Sequence, residues 1–520
     1  MQPTRKNAYD EFPYESLSFA ATHPEVLAVT SILHGFEPAD PETCRVLELG
    51  CALGGNLIPM AFSLPRATFL GVDLSAKQID VGNTRVQELG LTNVRLEQKN
   101  ILDIGPELGE FDYILCHGVF SWVPDVVQQA ILRVLSQNLA PNGIAYVSYN
   151  VFPGWIHRSL IRDMMFFHLE GVEDAGEKAK RTRELLETLE KEMEGSETLY
   201  GTIIRHLVQS IKGYPDFYIL HEYLEENNRP LYFHQFVKKA EEHGLQYVCE
   251  ERDLTFEGLI SSDSWKAIDQ YAKDRVRREQ YVDFFLNGTF RRSMLCKQGI
   301  PLTRTPEDSA LLRFKFSTAA KPKDAVPDFS EESVGKFLLK RGQTVTTNDP
   351  GVKAVLAELY RVWPRTMTFE QILKEVRERY PDFAAREGIE QILIDGLRRC
   401  QEARMVHMHL HEPHYVPFVS PLPVASPVAR FQARFGETVT NLLHEAVQLH
   451  PLDREILRLL DGNITADGLT DIMVEDFKAG AVEVEDWPED KNTPEEIRRQ
   501  MANGIKESLK RLSSLALLVG

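Results

Sequence analysis

The stretch from Arg45 to Asn56 constrains the fold of this chain more than any other. Arg45-Val46-Leu47-Glu48-Leu49 reads as an apolar strand, and it runs straight into Gly50-Cys51-Ala52-Leu53-Gly54-Gly55-Asn56. A strand emptying into a glycine-rich turn is how a doubly wound sheet opens a nucleotide site. The turn has the form Gly-x-Ala-x-Gly-Gly, not the Gly-x-Gly-x-x-Gly that seats a pyrophosphate on a helix N-terminus, and the acid Glu48 precedes it. An acid there repels a diphosphate and suits a cation. S-adenosylmethionine, with its sulfonium and α-ammonium groups, meets that demand better than NAD.

Further strands follow in an alternating β-α order. Thr68 to Asp73 ends in an acid roughly 20 residues past the turn, the spacing at which a carboxylate meets ribose hydroxyls. Asp73 could instead cap the next helix, a role also open to Ser75. Val94 to Asp103 alternates and then turns at Asn100, which either receives an adenine amine or is a plain turn residue. Phe111 to Cys116 delivers His117-Gly118-Val119-Phe120-Ser121-Trp122, and Ile144 to Asn150 forms a fifth strand. The expected class is α/β with a Rossmann-like parallel sheet whose ligands lie at the carboxyl ends of its strands. His117 and Trp122 stand at such an end, as ligand contacts or as core residues.

These residues resemble a class I S-adenosylmethionine-dependent methyltransferase. The likeness narrows with Asn7-Ala8-Tyr9-Asp10, Pro13-Tyr14, Thr22-His23-Pro24, His117-Gly118-Val119, Trp122-Val123-Pro124, Tyr149-Asn150, Pro153-Gly154-Trp155 and His221-Glu222-Tyr223-Leu224. As a set they are similar to bacterial methyltransferases carrying a methyltransferase regulatory domain, among them the rickettsial protein lysine methyltransferases, which modify an outer membrane protein. The resemblance implies S-adenosyl-L-methionine as cofactor and methyl transfer, with lysine side chains of a protein as acceptor. A small-molecule methyltransferase and a non-catalytic S-adenosylmethionine-binding regulator are the alternatives. The expected cofactor shell is Glu48, Gly50, Cys51, Ala52, Gly54, Asn56, Asp73, Leu74, Gln78, Asn100, Ile101, His117 and Gly118. Tyr14, His117, Trp122 and Tyr149 are the expected catalytic residues, with Trp155 beside them around an acceptor channel.

Composition bounds the partners. The 520 residues carry 59 Lys and Arg against 77 Asp and Glu, a net charge of −18, which disfavours a nucleic-acid substrate. The absence of an Asn-Pro-Pro-Tyr or Asp-Pro-Pro-Tyr sequence after the fourth strand argues the same way for exocyclic amines of bases. Six scattered cysteines read as reduced thiols, and neither a membrane span nor a signal-peptide core is evident, so a cytoplasmic protein is expected. No metal is expected. His221 and His234 lack the spacing that places two imidazoles on one helix face, and His407, His409 and His411 read as a solvated strand face.

The expected organisation is an N-terminal cap or lid over 1–40, a cofactor-binding core over 41–155, a helical insertion over 156–228 and completion of the core with the regulatory domain over 229–300. A linker over 301–345 then precedes mostly α winged-helix-like domains over 346–416 and 428–520. Strands at 245–250 and 290–296 should close the sheet as an antiparallel pair. The insertion would hang over the cofactor end, as lid or as the contact of a homodimer. Protein docking suits the C-terminal domains better than DNA, since 481–490 is acidic.

Overall fold

The computed structural model describes residues 16–250, 260–303, 306–324, 327–339, 342–480 and 493–520. Its centre is a seven-stranded sheet of β1 (Arg45–Leu49), β2 (Thr68–Asp73), β3 (Val94–Gln98), β4 (Phe111–Cys116), β5 (Leu139–Asn150), β6 (Leu245–Glu250) and β7 (Phe290–Lys297). The strand order is β3-β2-β1-β4-β5-β7-β6. β7 alone runs antiparallel, between β5 and β6, as the expected closing pair requires. β1, β2 and β4 are almost continuously apolar and buried on both faces, as a parallel sheet sandwiched between helices demands. From β1 the chain winds outward to β3 and then returns to β4 on the other side. That leaves a topological switch point between β1 and β4, where open α/β sheets bind their ligands.

Helix α1 (Pro24–Leu33) precedes β1, and α2 (Leu57–Ser63) and α3 (Ala76–Glu88) follow β1 and β2. α1 joins two cores. Leu27 and Ala28 pack with the sheet, whereas Val29, Ile32 and Leu33 pack with the domain beyond residue 306. The insertion after β5 consists of helices Gly154–His168, Ala175–Glu192 and Leu199–Lys212 around its own core of Ile161, Met165, Leu186, Ile204 and Val208. Its end, Ile219–Tyr223, is a π-helical turn held by Arg162, whose guanidinium donates to the carbonyls of Glu222, Tyr223 and Glu225.

The stretch read as a linker is instead part of the next domain. Phe314 and Phe316 are buried, and Lys315–Ser317 is the middle strand between Met367–Thr368 and His407–His409. Helices Pro350–Val362, Phe369–Arg379 and Ile389–Glu402 complete that domain. The histidine face is not uniformly solvated either: His409 is buried and its Nε2 lies 2.9 Å from Ser317 Oγ, while His407 is exposed. His411 Nε2 is 3.0 Å from Asp40 Oδ1 and Nδ1 is 3.8 Å from Glu42, tying this domain to the edge of the core.

The last domain packs helices Pro427–Gln432, Pro451–Leu459, Ala466–Lys478 and Pro494–Ser514 with a hairpin, Thr438–Thr440 and Ala446–Gln448, absent from the sequence reading. The acidic segment 481–490 lies outside the described residues. Among the described residues no helix is long and apolar enough to cross a membrane, and all six cysteines are buried free thiols.

Candidate functional site

The loop after β1 is strained on purpose: Gly50, Ala52 and Gly54 take φ values of +78°, +48° and +76°. Glycine is needed at Gly50 twice over, for that φ and because a Cβ would run into Val119 Cγ2. The amides of Gly50 and Cys51 donate to the Val72 carbonyl at 2.8 and 3.1 Å, so the loop folds against the end of β2. Asp73 closes the same seam. Its Oδ2 accepts from Ala52 N at 3.0 Å and its Oδ1 from Ser75 N at 2.9 Å. A carboxylate offers about four lone-pair sites, so acceptor capacity remains for hydroxyls of a ligand. Ser75, not Asp73, caps α3, its Oγ accepting from Gln78 N at 3.2 Å. Leu74 is exposed and Gln78 buried beside it.

Glu48, only 4% exposed, is the charged centre of the loop. Its Oε1 accepts from Asn56 Nδ2 at 2.8 Å, but its Oε2 is buried with no hydrogen-bond partner among the described residues. Burial pushes the carboxyl up to about 7, opposed by the Asn56 bond and reinforced by repulsion from Asp73. A buried carboxylate oxygen left unpaired is costly, and a cation placed against it removes the penalty. The donor set therefore fits the α-ammonium of S-adenosylmethionine.

The N-terminal segment straps across this loop. Ser16 Oγ accepts from Gly55 N at 2.9 Å, and Phe19 N donates to Asn56 Oδ1 at 3.0 Å. A Cβ on Gly55 would collide with the Ser16 carbonyl. Phe19 then packs against His117 with the rings tilted by 39° and their centroids 3.9 Å apart.

His117 lies past the end of β4 with Nδ1 3.1 Å from Tyr146 Oη and its ring edge-on to Phe290 at 6.2 Å. Burial, with a smaller contribution from Arg292, lowers its pKa to about 3, so the imidazole is neutral at pH 7. Gly118, at φ +68°, donates its amide to Ser148 Oγ at 2.8 Å. Trp122, half-buried, meets the fully buried Trp155 edge-on at 6.0 Å, so Trp155 is a backing residue and not a channel wall. Asn100 caps the turn Ile101–Asp103, its Oδ1 accepting from Leu102 N at 3.0 Å. The plain turn role is thus filled.

Of the four expected catalytic side chains, one described residue, Tyr149, does not join this group. Tyr14 lies outside the described residues. Tyr149 is 1% exposed, stacked on Phe236 at 3.9 Å, and its Oη bonds Ser293 Oγ at 2.8 Å. Strand alternation is the cause: Tyr146 and Ser148 face the His117 side of β5, and Tyr149 faces the opposite core. Beneath it Arg291 meets Glu250, Glu279 and Asp283 at 3.2, 3.3 and 2.9 Å, a buried ionic brace. Phe290, 43% exposed beside His117, went unnoticed in the sequence because it stands on the antiparallel strand, far from any motif.

Comparison with known proteins places this geometry. Residues 40–228 match a methyltransferase domain family, 215–297 the family described as "Predicted methyltransferase regulatory domain", and 422–517 the "PKMT, C-terminal winged helix domain". A protein of Rickettsia prowazekii is 31% identical over 522 residues, spanning 99% of this chain and 94% of that protein. A second from the same organism is 43% identical over 241 residues, 46% of this chain and 96% of that one. The solved structure of PKMT2 from Rickettsia typhi in complex with AdoHcy superposes with a TM-score of 0.88 at 30% identity, covering 98% of this chain and 100% of that one. With its seven-stranded sheet, its glycine loop and these three matched domains, the chain belongs to the S-adenosylmethionine-dependent methyltransferases that carry a methyltransferase regulatory domain and a PKMT-type winged helix.

Proposed function

We propose that this enzyme methylates lysine side chains of a protein. The observation that carries the reading is the full-length likeness to PKMT2, at 98% and 100% coverage, including the C-terminal winged helix domain of the PKMT family. The PKMT designation is that of protein lysine methyltransferases.

In this reading Glu48 Oε2 receives the cofactor's ammonium, Asp73 the ribose hydroxyls, and the Asn100–Ile101 turn borders the adenine. When bound, S-adenosylmethionine supplies a methyl group activated by the sulfonium for in-line displacement. The protein's own contribution is placement, which can be worth about 7–11 kcal/mol. Phe19, a neutral His117 and Phe290 form an aromatic wall at the ends of β4 and β7, with the Arg292 guanidinium near enough to His117 to lower its pKa. A lysine stem can lie along such a wall, and desolvation there favours the neutral amine over the ammonium, whose ordinary pKa is about 10.4. His117, with its pKa near 3, is too weak a base to take that proton, so the amine loses it to solvent on entry. Trp122 at the rim is the remaining aromatic contact for the acceptor.

The test is incubation of the purified enzyme with radiolabelled S-adenosylmethionine and a cell-envelope lysate, since an outer membrane protein is the acceptor class to try first. Label in protein bands that survives alkaline hydrolysis is expected. Label confined to small molecules would refute a protein acceptor, and label lost in alkali would refute lysine.

A further inference from the structure

The most distant contact in the cofactor loop comes from the last domain. His444 sits in the turn of the hairpin Thr438–Gln448, with Nε2 2.9 Å from Asn56 Oδ1 across 388 positions of sequence. Three features make this a built contact. His444 is only 4% exposed and takes φ +59°, a left-handed conformation that is strained for a residue with a side chain. The turn is held rigidly, because Asn441 Oδ1 accepts from the amides of both Leu443 and Glu445, and Leu442 N donates to the Ala516 carbonyl. The same domain also grips α3, through Arg434 to Glu88 at 3.1 Å and Arg85 over the Phe435 ring.

The proton positions follow from the bonds. Asn56 Nδ2 donates to Glu48 Oε1 at 2.8 Å and to Thr22 Oγ1 at 3.0 Å, and Thr22 Oγ1 in turn donates to the Phe19 carbonyl at 2.8 Å. Both amide hydrogens are therefore used. Asn56 Oδ1 accepts from Phe19 N, so its identity as oxygen is fixed and His444 must present Nε2–H to it. His444, Asn56 and Glu48 thus form one buried line from the C-terminal domain to the unpaired Oε2. Of the segments joined at Asn56, the hairpin alone belongs to a domain that is not continuous with the methyltransferase fold.

We propose that the C-terminal winged helix is an integral part of the cofactor site, with His444 as a positioning residue that orients Asn56 and, through it, the Glu48 carboxylate toward the amino-acid end of the cofactor. The proposal rests on the reading of Glu48 as the ammonium contact. It assigns the domain a role in cofactor binding besides any docking of partners.

Calorimetric titration of the full chain with two probes separates the possibilities. S-adenosylhomocysteine carries the ammonium, and 5′-methylthioadenosine lacks it. Glu48→Gln tests the underlying reading: it should weaken the first probe and spare the second. His444→Asn keeps a residue suited to left-handed backbone but falls one bond short of Asn56, and His444→Gly serves if the first variant does not fold. Either should lose about tenfold in affinity for S-adenosylhomocysteine, as expected for one hydrogen bond to a charge-bearing network, and less than about twofold for 5′-methylthioadenosine. His444→Gln, which retains a donor near the Nε2 position, should recover most of the loss. Unchanged affinity for S-adenosylhomocysteine, equal loss of both probes, or no recovery with glutamine would overturn the proposal. If Glu48→Gln discriminates between the probes and the His444 variants do not, the proposal alone falls.

Discussion

The two ends of the proposed site are built from opposite materials. At the end of β1 and β2 the side chains are charged or amide-bearing, and nearly every polar atom is committed: Asp73 to Ala52 and Ser75, Asn56 to Glu48, Thr22 and Phe19. At the end of β4 and β7 the lining is Phe19, a neutral His117 and Phe290, and the charge that acts on His117 is the Arg292 guanidinium. In the proposed reading one end recognises the charged cofactor by hydrogen-bond matching, while the other removes water around the acceptor's side chain. Substitutions at the first end should therefore change affinity in large steps, and substitutions behind the second should change little.

The largest expected effect is that of Asp73→Ala. It removes a carboxylate that fastens the loop to β2 and that the proposed reading sets against the ribose, so affinity for S-adenosylhomocysteine should fall by about 1.5–3 kcal/mol, roughly 10- to 150-fold. Asp73→Asn keeps an acceptor for Ala52 N and should lose less. Equal affinity for wild type and the alanine variant, read by calorimetry, would remove Asp73 from the cofactor end.

A smaller effect follows from Glu48. Its carboxyl in the unliganded protein is held near 7, chiefly by burial, and a bound ammonium favours the ionised form. Cofactor affinity should then rise with pH through about 7 and level off above it, with about a tenfold loss for each pH unit well below. For the free protein the sign is the reverse of the usual carboxylate. The folded pKa exceeds the unfolded value of about 4.3, so this group's contribution to stability falls as pH rises from about 4.3 to 7 and is restored by ligand. Glu48→Gln should flatten the affinity profile; a wild-type profile flat between pH 6 and 8 would contradict the assignment.

How much of this was readable beforehand depends on the range of the interactions. The sheet, the loop at Gly50–Asn56 and the Ser75 cap were legible because their partners lie within one β-α-β unit and parallel strands are contiguous apolar runs. The strap was half legible: the sequence suggested a cap or lid over 1–40, but not which atoms it bonds. Lys315–Ser317 escaped because its alternation is confined to Phe314 and Phe316, too short a run to establish a period, and its sheet partners lie some 50 and 90 positions away. His444 carried no local signal at all, since its partner is 388 positions distant. Tyr149 is a different case, for the period-2 rule was available in the sequence: once Ser148 faces the loop, Tyr149 cannot.

That misplacement gives the smallest expected effect and the sharpest contrast between the two ends. Tyr149→Phe keeps the ring stacked on Phe236 and deletes only the hydroxyl bonded to Ser293. Ser293 Oγ retains a partner, because it also donates to Glu250 Oε1. The cost should be about 1 kcal/mol or less in denaturant unfolding, and the methyl-transfer rate should stay within about twofold of wild type. A phenol acting on the acceptor amine would lose far more, because a positioned acid or base contributes about 10²–10⁴ in rate. A drop of that size with unchanged stability would move Tyr149 back to the reacting atoms, and would mean that the acceptor end, like the cofactor end, works through committed polar groups.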